Sequence, residues 1–286
     1  MGRAFRRVTH AAAALALACA GTFAAASAAP AAPSAVTAAP RAVTAAPRAV
    51  TAGGCSMDTA ARGVATAAAG SPVSVPRADG RVDQFQVFYD SSATQGLPFV
   101  WHRAQAAPGG SYGDWERVSA GTVGPKASFV TAVENAAGGL EVFWLDHGGF
   151  CHSVQGPAGG AWSAPEDFGL QPSPYHGFLV LFKRSNGTLI AMASSSKPDR
   201  SMESRTQLSS DGVWRPAAAM GKVPDPYAGL SQPATVTELP DRRLKVTARE
   251  WNRDRYWQIT EAAPDDGVPS GWWPEQWQLC ATPQCA

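Results

Sequence analysis

Short apolar or alternating stretches recur along the chain at intervals near fifty residues, and none of them has a helical period. One series comprises residues 84–89, 140–145, 189–193 and 244–248, and an earlier stretch precedes the last three of these at residues 129–133, 178–182 and 234–237. Runs of this length and composition are typical of β-strands. The pattern therefore predicts a repeat of short strands rather than a helical protein.

A turn signal precedes each stretch of the first series, at residues 84–89, 140–145, 189–193 and 244–248. These signals are Ala78-Asp79-Gly80, Ala137-Gly138-Gly139, Asn186-Gly187 and Asp241-Arg242. Asn-Gly between apolar runs is a strong hairpin signal, because a type I′ turn needs positive φ at both central residues. We therefore expect a tight hairpin in every copy.

A glutamine and an aromatic residue mark the register of the repeat. The glutamines are Gln105, Gln155, Gln207 and Gln258, at intervals of 50, 52 and 51 residues. Seven positions after the first three come Tyr112, Trp162 and Trp214, while an insertion at residues 263–267 displaces the fourth aromatic, Trp272 or Trp273. The fixed spacing predicts that Tyr112, Trp162, Trp214 and Trp273 are structural aromatics between neighbouring units.

A period of about 40–50 residues with four strands and a repeated Trp is typical of a β-propeller blade. The sequence therefore predicts an all-β protein with a β-propeller of about four four-stranded blades. The expected blades are residues 80–124, 125–172, 173–224 and 225–279, preceded by a cap or closing segment at 55–79 and followed by a cysteine-containing tail at 280–286.

Two copies share further residues. The first reads Gly80-Arg81-Val82, Gln86-Val87-Phe88, Val100-Trp101-His102-Arg103-Ala104-Gln105, Ala107-Pro108-Gly109-Gly110 and Trp115-Glu116, and the second runs from Gly139-Leu140-Glu141-Val142-Phe143 to Gly159-Gly160-Ala161-Trp162-Ser163. These segments resemble the repeat of the PLL-like β-propeller lectins, a fucose-binding family of exported bacterial proteins. The resemblance covers about residues 72–279, although the third and fourth copies lack the His and the Gly-Gly. It implies sugar sites in clefts between blades.

The start of the chain has the features of an export signal. Residues 1–29 combine Arg3, Arg6 and Arg7 with an apolar stretch at 11–20 and small residues at 26–29, as in a signal peptide. Residues 30–54 repeat Ala-Val-Thr-Ala-Ala-Pro-Arg and predict a flexible linker. Because the apolar stretch is too short for a membrane span, we expect a secreted, extracellular protein, exported by either the Sec or the twin-arginine route.

Four cysteines follow the signal, namely Cys55, Cys151, Cys280 and Cys285. An even number in an oxidising compartment predicts two disulfides. A local Cys280–Cys285 bridge would leave Cys55 to pair with Cys151, whereas the rival pairing joins Cys55 to a terminal cysteine. The sequence leaves both open.

Charge excludes one class of partner. The first 54 residues hold five arginines and no acidic residue, so residues 55–286 carry 19 basic against 23 acidic side chains, a net charge of about −4. A slightly acidic domain cannot neutralise phosphates by general charge. We therefore predict no nucleic-acid partner.

Familiar catalytic and metal motifs are weak. Gly109-Gly110-Ser111-Tyr112-Gly113 fits a nucleophile elbow, but no helix is predicted after it. Asp146, His147, Cys151 and His152 are side chains that zinc accepts, yet neighbours on a strand point to opposite faces. Carboxylates are scattered, and a glycosidase needs two in one pocket. We therefore predict no enzyme, no metal and no cofactor, with a propeller glycoside hydrolase as the weaker alternative.

Three groups combine an aromatic ring with polar side chains, as sugar recognition requires. They are Trp101 with His102 and Arg103, Trp144 with Asp146 and His147, and Trp251 and Trp257 with Arg253 and Arg255. With export, a linker and repeated candidate pockets, they indicate a secreted lectin that binds glycans or glycoconjugates. The alternative is a protein-binding or structural propeller, with a protein surface as its partner and the tryptophans in its core.

Overall fold

The computed structural model describes residue 55, residues 65–90, 98–118, 129–146, 149–156, 159–172, 178–197, 201–209, 212–225, 228–251, 253–264 and 273–280, and residue 285. The predicted signal peptide at 1–29 and linker at 30–54 lie outside the described residues. No helix among the described residues is long and apolar enough to cross a membrane.

The described residues form four antiparallel sheets, and the strands of each sheet follow chain order. Blade 1 comprises β1 (Ala65–Pro76), β2 (Val82–Asp90), β3 (Pro98–Ala104) and β4 (Glu116–Arg117). Blade 2 comprises β5 (Val130–Glu134), β6 (Leu140–Asp146), β7 (Gly149–Gln155) and β8 (Glu166–Asp167). Blade 3 comprises β9 (Leu179–Lys183), β10 (Leu189–Ser194), β11 (Met202–Thr206) and β12 (Ala218–Ala219). Blade 4 comprises β13 (Leu230–Glu238), β14 (Leu244–Glu250), β15 (Tyr256–Thr260) and β16 (Gln278–Leu279).

The first strands of successive blades lie next to one another. β1 contacts β5, β5 contacts β9, and β9 contacts β13. Four-stranded sheets arranged side by side around their first strands are the architecture of a β-propeller. The predicted all-β fold with four four-stranded blades is therefore confirmed.

Three apolar cores fill the spaces between successive blades. The core between blades 1 and 2 includes Phe85, Val87, Val100, Leu140, Val142 and Trp144. The core between blades 2 and 3 includes Phe143, Phe150, Phe168, Leu179, Ala191 and Ala193. The core between blades 3 and 4 includes Ile190, Met192, Met202, Val246, Ala248 and Trp257. The second strands β6 and β10 lie between two cores, so they are buried on both faces and their apolar residues run without alternation.

The first strand lies in the segment that the sequence assigned to a cap or closing strand, residues 55–79. β1 instead pairs with β2 from Ala65–Asp90 to Pro76–Val82 and is the first strand of blade 1. The Ala-rich residues 65–69 hid this strand, because their composition continues that of the preceding linker.

The four hairpins share one turn, and its type differs from the prediction. In the third hairpin, Arg184 N donates to Thr188 O and Gly187 N donates to Arg184 O, which defines a three-residue loop. Gly187 has φ 86°, whereas Asn186 does not have positive φ. This is a type I turn followed by a left-handed residue, so the predicted type I′ turn is wrong. Arg242 takes the left-handed position in the fourth hairpin, with φ 68°.

The recurring glutamine ends the third strand and caps the second. The side-chain oxygens of Gln105 and Gln207 accept from Val82 N at 2.9 Å and Leu189 N at 3.1 Å. In blade 4, Glu261 accepts from Leu244 N at 2.7 Å. Glu261, not Gln258, is therefore the fourth member of this series, and Gln258 lies three residues earlier on β15.

The disulfides are Cys55–Cys151 and Cys280–Cys285. The first joins the segment before blade 1 to β7 of blade 2, with 5.6 Å between the Cα atoms. The predicted pair of disulfides is confirmed, and the pairing that the sequence left open is resolved.

A glycine substitution tests the hairpin turn. We expect Gly187→Ala to lower the free energy of unfolding by about 1–2 kcal/mol, the cost of a left-handed non-glycine residue. An added Cβ would also lie 3.0 Å from Ala136 Cβ. Gly160→Ala is the control, because Gly160 has no positive φ and its Cβ would meet nothing closer than 3.8 Å. If urea denaturation shows equal losses of unfolding free energy for Gly187→Ala and Gly160→Ala, the turn assignment is contradicted.

Paired cysteine variants compare the two disulfides. Cys55 and Cys151 are 96 positions apart in the sequence, whereas Cys280 and Cys285 are five positions apart and close a loop of about six residues. Chain entropy predicts stabilisation of about 4.7 kcal/mol for a loop near 100 residues and about 2 kcal/mol for a loop of six. Urea denaturation should show a larger loss for Cys55→Ala/Cys151→Ala than for Cys280→Ala/Cys285→Ala. The reverse order would show that the long loop remains ordered after its bridge is removed.

Candidate functional site

The first predicted group is divided between the two faces of β3. His102 is buried towards blade 2, where its Nε2 lies 2.5 Å from Asp83 Oδ1, and Arg77 Nη1 binds the other Asp83 oxygen at 3.3 Å. Trp101 points to the opposite face and is 6% exposed. Its Nε1 has no hydrogen-bond partner among the described residues. Neither ring offers an open face to a sugar, so this part of the prediction is wrong.

Arg103 is held between two aromatic rings of its own blade. Its guanidinium carbon lies 4.7 Å from the centre of the Tyr112 ring and 4.5 Å from that of Trp115. Gln84 Oε1 accepts from Arg103 Nε at 2.9 Å and from Nη2 at 2.7 Å. Tyr112 thus contacts blade 1 itself, unlike the other members of its series.

The second predicted group lies inside the protein. Trp144 is 1% exposed and packs in the core between blades 1 and 2. Asp146 is buried at the end of β6, and His147 lies outside the described residues. Trp144 cannot stack on a ligand, because β6 is a second strand covered on both faces. Its assignment to a binding site is therefore wrong.

The aromatics at fixed register contact the preceding blade. Trp162 lies edge-on to Phe85 and His102 of blade 1, at 5.8 and 5.6 Å between ring centres. Trp214 lies edge-on to Phe143 and Phe168 of blade 2 in the same way. Trp273 Nε1 donates to Ser204 Oγ of blade 3 at 3.1 Å. These rings fill the junctions between blades.

A buried carboxylate organises the junction of blades 2 and 3. Glu141 accepts from His152 Nε2 at 3.0 Å, Gln207 Nε2 at 2.6 Å and Trp214 Nε1 at 2.9 Å. Burial alone would lower the pKa of His152, but hydrogen bonds to Glu141 and Glu166 outweigh it and raise that pKa above its ordinary value. His152 is thus committed to this network. Among the described residues no three His, Cys, Asp or Glu side chains group to hold a metal, and Cys151 is in a disulfide.

The third predicted group reaches the surface, where β14 ends and the loop to β15 begins. Trp251 is 51% exposed, and its backbone N donates to Gly229 O at 3.0 Å. A Cβ added to Gly229 would lie 2.8 Å from Trp251 Cδ1, closer than real contacts allow. Gly229 therefore lets the indole edge rest against the backbone. This contact positions the ring although half of it faces solvent.

Two arginines and two carboxylates lie beside this loop. Arg253 Nη1 and Arg255 Nη2 both donate to Asp225 Oδ2, at 3.0 and 2.9 Å. Arg255 Nε donates to Glu250 Oε2 at 2.8 Å. Arg253 is about half exposed, while Glu250 is fully buried. We call Trp251, Gly229, Asp225, Glu250, Arg253 and Arg255 the Trp251 site.

Glu250 anchors the Trp251 site to the blade. Trp257, which belongs to the core between blades 3 and 4, donates its Nε1 to Glu250 Oε2 at 3.1 Å. Burial by itself would raise the pKa of Glu250, but hydrogen bonds from Arg255 and Trp257 outweigh it and lower that pKa below its usual value. Glu250 is therefore ionised at neutral pH, and Trp257 acts from the core rather than contacting a ligand.

Sequence reasoning missed part of the Trp251 site. Asp225 and Gly229 belong to the connection between blades 3 and 4, and neither stands near Trp251 in the sequence. Glu250 is one of the carboxylates that are scattered along the sequence with no motif around them. A signal existed in its position next to Trp251, just beyond a predicted strand, but only the fold brings Asp225 to the two arginines.

Comparisons with known proteins support the fold. No protein-family model and no curated protein matches the chain. A protein of unknown function from Dyadobacter fermentans is similar in structure, with a TM-score of 0.50 and 12% identity over 75% of this chain and 69% of that one. The NanB sialidase from Streptococcus pneumoniae has a TM-score of 0.45 and 15% identity, over 62% of this chain and 27% of that one. An ulvan lyase of a polysaccharide lyase family has a TM-score of 0.46 and 9% identity, over 74% of this chain and 57% of that one.

These comparisons correct the prediction that the protein is not an enzyme. That prediction depended on the absence of a familiar catalytic motif, yet the two named neighbours are a sialidase and a polysaccharide lyase. The absence of a familiar motif is therefore no ground for the prediction that the protein is not an enzyme. The chain spans only 27% and 57% of these neighbours, and at 15% and 9% identity no activity transfers to it. The resemblance to PLL-like lectins stays a prediction, since no family model matches.

The pKa of Glu250 gives the Trp251 site a testable pH dependence. A carboxyl group whose pKa is lowered on folding stabilises the protein above its unfolded pKa of about 4.3, and this contribution is lost as pH falls through the folded value. Between pH 5 and 3, wild-type protein should therefore lose more free energy of unfolding than Glu250→Gln. Urea denaturation across this range measures the difference. Asp254→Asn, on the same loop, is the control, and a Glu250→Gln profile parallel to wild type would contradict the assignment.

Proposed function

We propose that this protein recognises extracellular glycans through the Trp251 site. The observation that carries the proposal is a half-exposed indole, held against Gly229, beside arginine donors and an aspartate acceptor. A sugar ring has an apolar C–H face that stacks on an aromatic ring and hydroxyl groups that hydrogen-bond around it. The site offers partners for both.

The hydrogen-bonding rim is placed to recognise hydroxyl groups. Asp225 Oδ2 accepts from both arginines, so its carboxylate and their remaining N–H groups lie side by side at the surface. Neighbouring sugar hydroxyls can donate to the carboxylate and accept from a guanidinium together. In a wet, shallow site of this kind we expect weak single-site binding.

The charge of the Trp251 site favours uncharged sugars. Arg253 and Arg255 are both neutralised by Asp225 and Glu250, so the site carries no net charge. A carboxylated sugar would bring an anion next to Asp225 without finding an uncommitted cation. Neutral sugars, among them the fucose and O-methylated sugars implied by the resemblance, are therefore the expected ligands.

Two disulfides support an extracellular location for this activity. Disulfides persist in oxidising compartments and are rare where thiols are kept reduced. Cys55–Cys151 joins two segments that are far apart in the chain, and Cys280–Cys285 closes a short local loop. With the signal-like residues 1–29, they favour a secreted protein that meets glycans outside the cell.

Removing the indole tests the proposal. We expect Trp251→Ala to lower affinity for a bound glycan about two- to twelvefold, because a stacking contact contributes roughly 0.5–1.5 kcal/mol beyond its buried area. Gly229→Ala should weaken binding while keeping the indole, since it displaces the ring. A glycan array identifies the ligand, and calorimetric titration compares the variants. Neutral sugars should bind better than sialylated ones.

The control is Leu208→Ala, which removes an apolar side chain of equal exposure, 51%, from blade 3. It should leave affinity unchanged. If Trp251→Ala binds like wild type, or if no glycan binds, the proposal fails. Mass spectrometry of bound glycans after incubation shows whether they are also converted.

A further inference from the structure

Two exposed side chains carry an aromatic ring in the part of the chain that the structure describes. Trp251 is half exposed in the loop after β14, and Phe178 is 45% exposed directly before β9. The other large apolar side chains that are exposed there, Leu208, Val213 and Leu279, are aliphatic. Of these five side chains, the two rings alone can stack on the apolar face of a sugar.

Both rings lie at the same end of blades 3 and 4, which are neighbours because β13 lies against β9 and β10. The hairpins that join β9 to β10 and β13 to β14 contact each other at the opposite end, where Arg184 Nη1 donates to Arg242 O. β10 and β14 therefore both run towards the end that carries the rings. Phe178 reaches this end because β9 is antiparallel to β10 and begins there, with Leu179 opposite Ala193.

Contacts with other rings position Phe178. Its ring lies edge-on to Phe129, which directly precedes β5 of blade 2, at 5.5 Å between ring centres. Phe129 in turn lies edge-on to buried Phe150, at 6.0 Å, and packs against the core between blades 2 and 3. Phe178 is thus fixed by aromatic contacts while nearly half of its side chain faces solvent. Trp251 combines a fixed ring with an open surface in the same way, through its contact with Gly229.

The two rings stand at different heights on the neighbouring blades. Leu189 of β10 and Leu244 of β14 are equivalent positions, because the same kind of side-chain cap binds the backbone N of each. Phe178 lies opposite the fifth residue after Leu189, whereas Trp251 is the seventh residue after Leu244. Trp251 is therefore two residues farther out, roughly 7 Å, and packed sheets such as blades 3 and 4 add about 10 Å sideways. One sugar ring cannot reach both side chains, but a short chain of sugars can.

The loop next to Phe178 supplies a hydrogen-bond donor. Lys197 belongs to the loop after β10, where its Nζ donates to Glu203 Oε1 at 2.7 Å. Glu203 is buried, whereas the Lys197 side chain is partly exposed. Lys197 N also donates to Ser195 Oγ at 3.1 Å, which holds the loop. An ammonium group has three N–H donors, so Lys197 can also bind a hydroxyl group while Glu203 neutralises its charge.

We propose that the Trp251 site is one end of an extended glycan-binding surface, which continues over the start of β9 to Lys197 and Phe178. Its ligand is a neutral oligosaccharide chain rather than a single terminal sugar. This proposal rests on the proposed function of the Trp251 site. Once one sugar of a chain is stacked on Trp251, a later sugar of the same chain meets Phe178 at high effective concentration. Chains therefore bind more tightly than their terminal sugar alone.

Chain length tests the extended surface. Two neutral series are the probes: methyl α-fucoside, fucosyllactose and lacto-N-fucopentaose form the first, and galactose, lactose and lacto-N-neotetraose form the second. If a glycan array identifies a different neutral glycan, that glycan and its terminal monosaccharide are compared in the same way. We expect calorimetric titration of wild-type protein to show affinity rising with chain length in at least one series.

The two rings should respond differently to chain length. We expect Phe178→Ala to lower affinity for the longest bound chain about two- to twelvefold, the size of one stacking contact, and to leave affinity for the monosaccharide unchanged. Trp251→Ala should lower both affinities. Phe178→Tyr keeps a ring that can stack and should retain wild-type affinity. Val213→Ala removes an apolar side chain that is 53% exposed at the opposite end of blade 3, and should change neither affinity.

Three results would overturn the proposal of an extended surface. Equal affinity of wild-type protein for the chain and its terminal sugar means that a single sugar fills the site. Wild-type affinity of Phe178→Ala for every chain means that the surface ends before β9. In both cases the proposed function stands if Trp251→Ala still weakens binding. If no array glycan binds to wild-type protein, the proposed function fails and the extended surface fails with it.

Discussion

A strand buried on both faces needs a neighbour on each side, and this requirement organises the whole molecule. β6 and β10 are buried on both faces and mostly apolar, so neither blade 2 nor blade 3 can be stable with a face in water. Stacking against the adjacent blades removes those faces from water. This burial stabilises the fold by roughly 25 cal/mol for each Å² of apolar surface. The repeat is therefore cooperative, because each core is built from two blades and is lost when either unfolds.

Polar groups decide how neighbouring blades are aligned. At the first and third junctions, an arginine at the start of a hairpin reaches the next blade: Arg77 Nη2 binds Gly138 O at 2.6 Å, and Arg184 Nη1 binds Arg242 O at 3.3 Å. Arg184 also pairs with buried Glu261. The second junction uses Glu141 as a common acceptor instead. Buried charges gain little net stability but are costly to leave unpaired, so these contacts penalise a misaligned blade.

Hydrophobic periodicity and turn signals predicted the fold well, because they report local backbone preference. They located the hairpins and the aromatic series that includes Trp162 and Trp214. Position on a face was harder to predict: Trp144 looked like a ligand residue beside Asp146, but only the neighbouring blade shows that it is covered. Gln258 was placed in the wrong series because a glutamate, Glu261, serves the cap equally well. A carboxylate and a carboxamide both accept from a backbone N–H. Matching glutamine to glutamine along the sequence therefore aligned the fourth copy three residues too early.

The location of the Trp251 site follows from how the junctions use their polar residues. His102 and His152 looked suited to binding because of their chemistry, yet each is buried and bound to a carboxylate, Asp83 and Glu141 respectively, that helps to hold its blade. Side chains committed in this way cannot turn towards a ligand without leaving a buried partner unsatisfied. The loop after β14 is free of that requirement, since its contacts to Asp225 and Gly229 lie at the surface. Glu250 links the two regions: its burial fixes Arg255, and Arg255 with Arg253 fixes Asp225. A surface site is thereby held by one carboxylate that belongs to the blade.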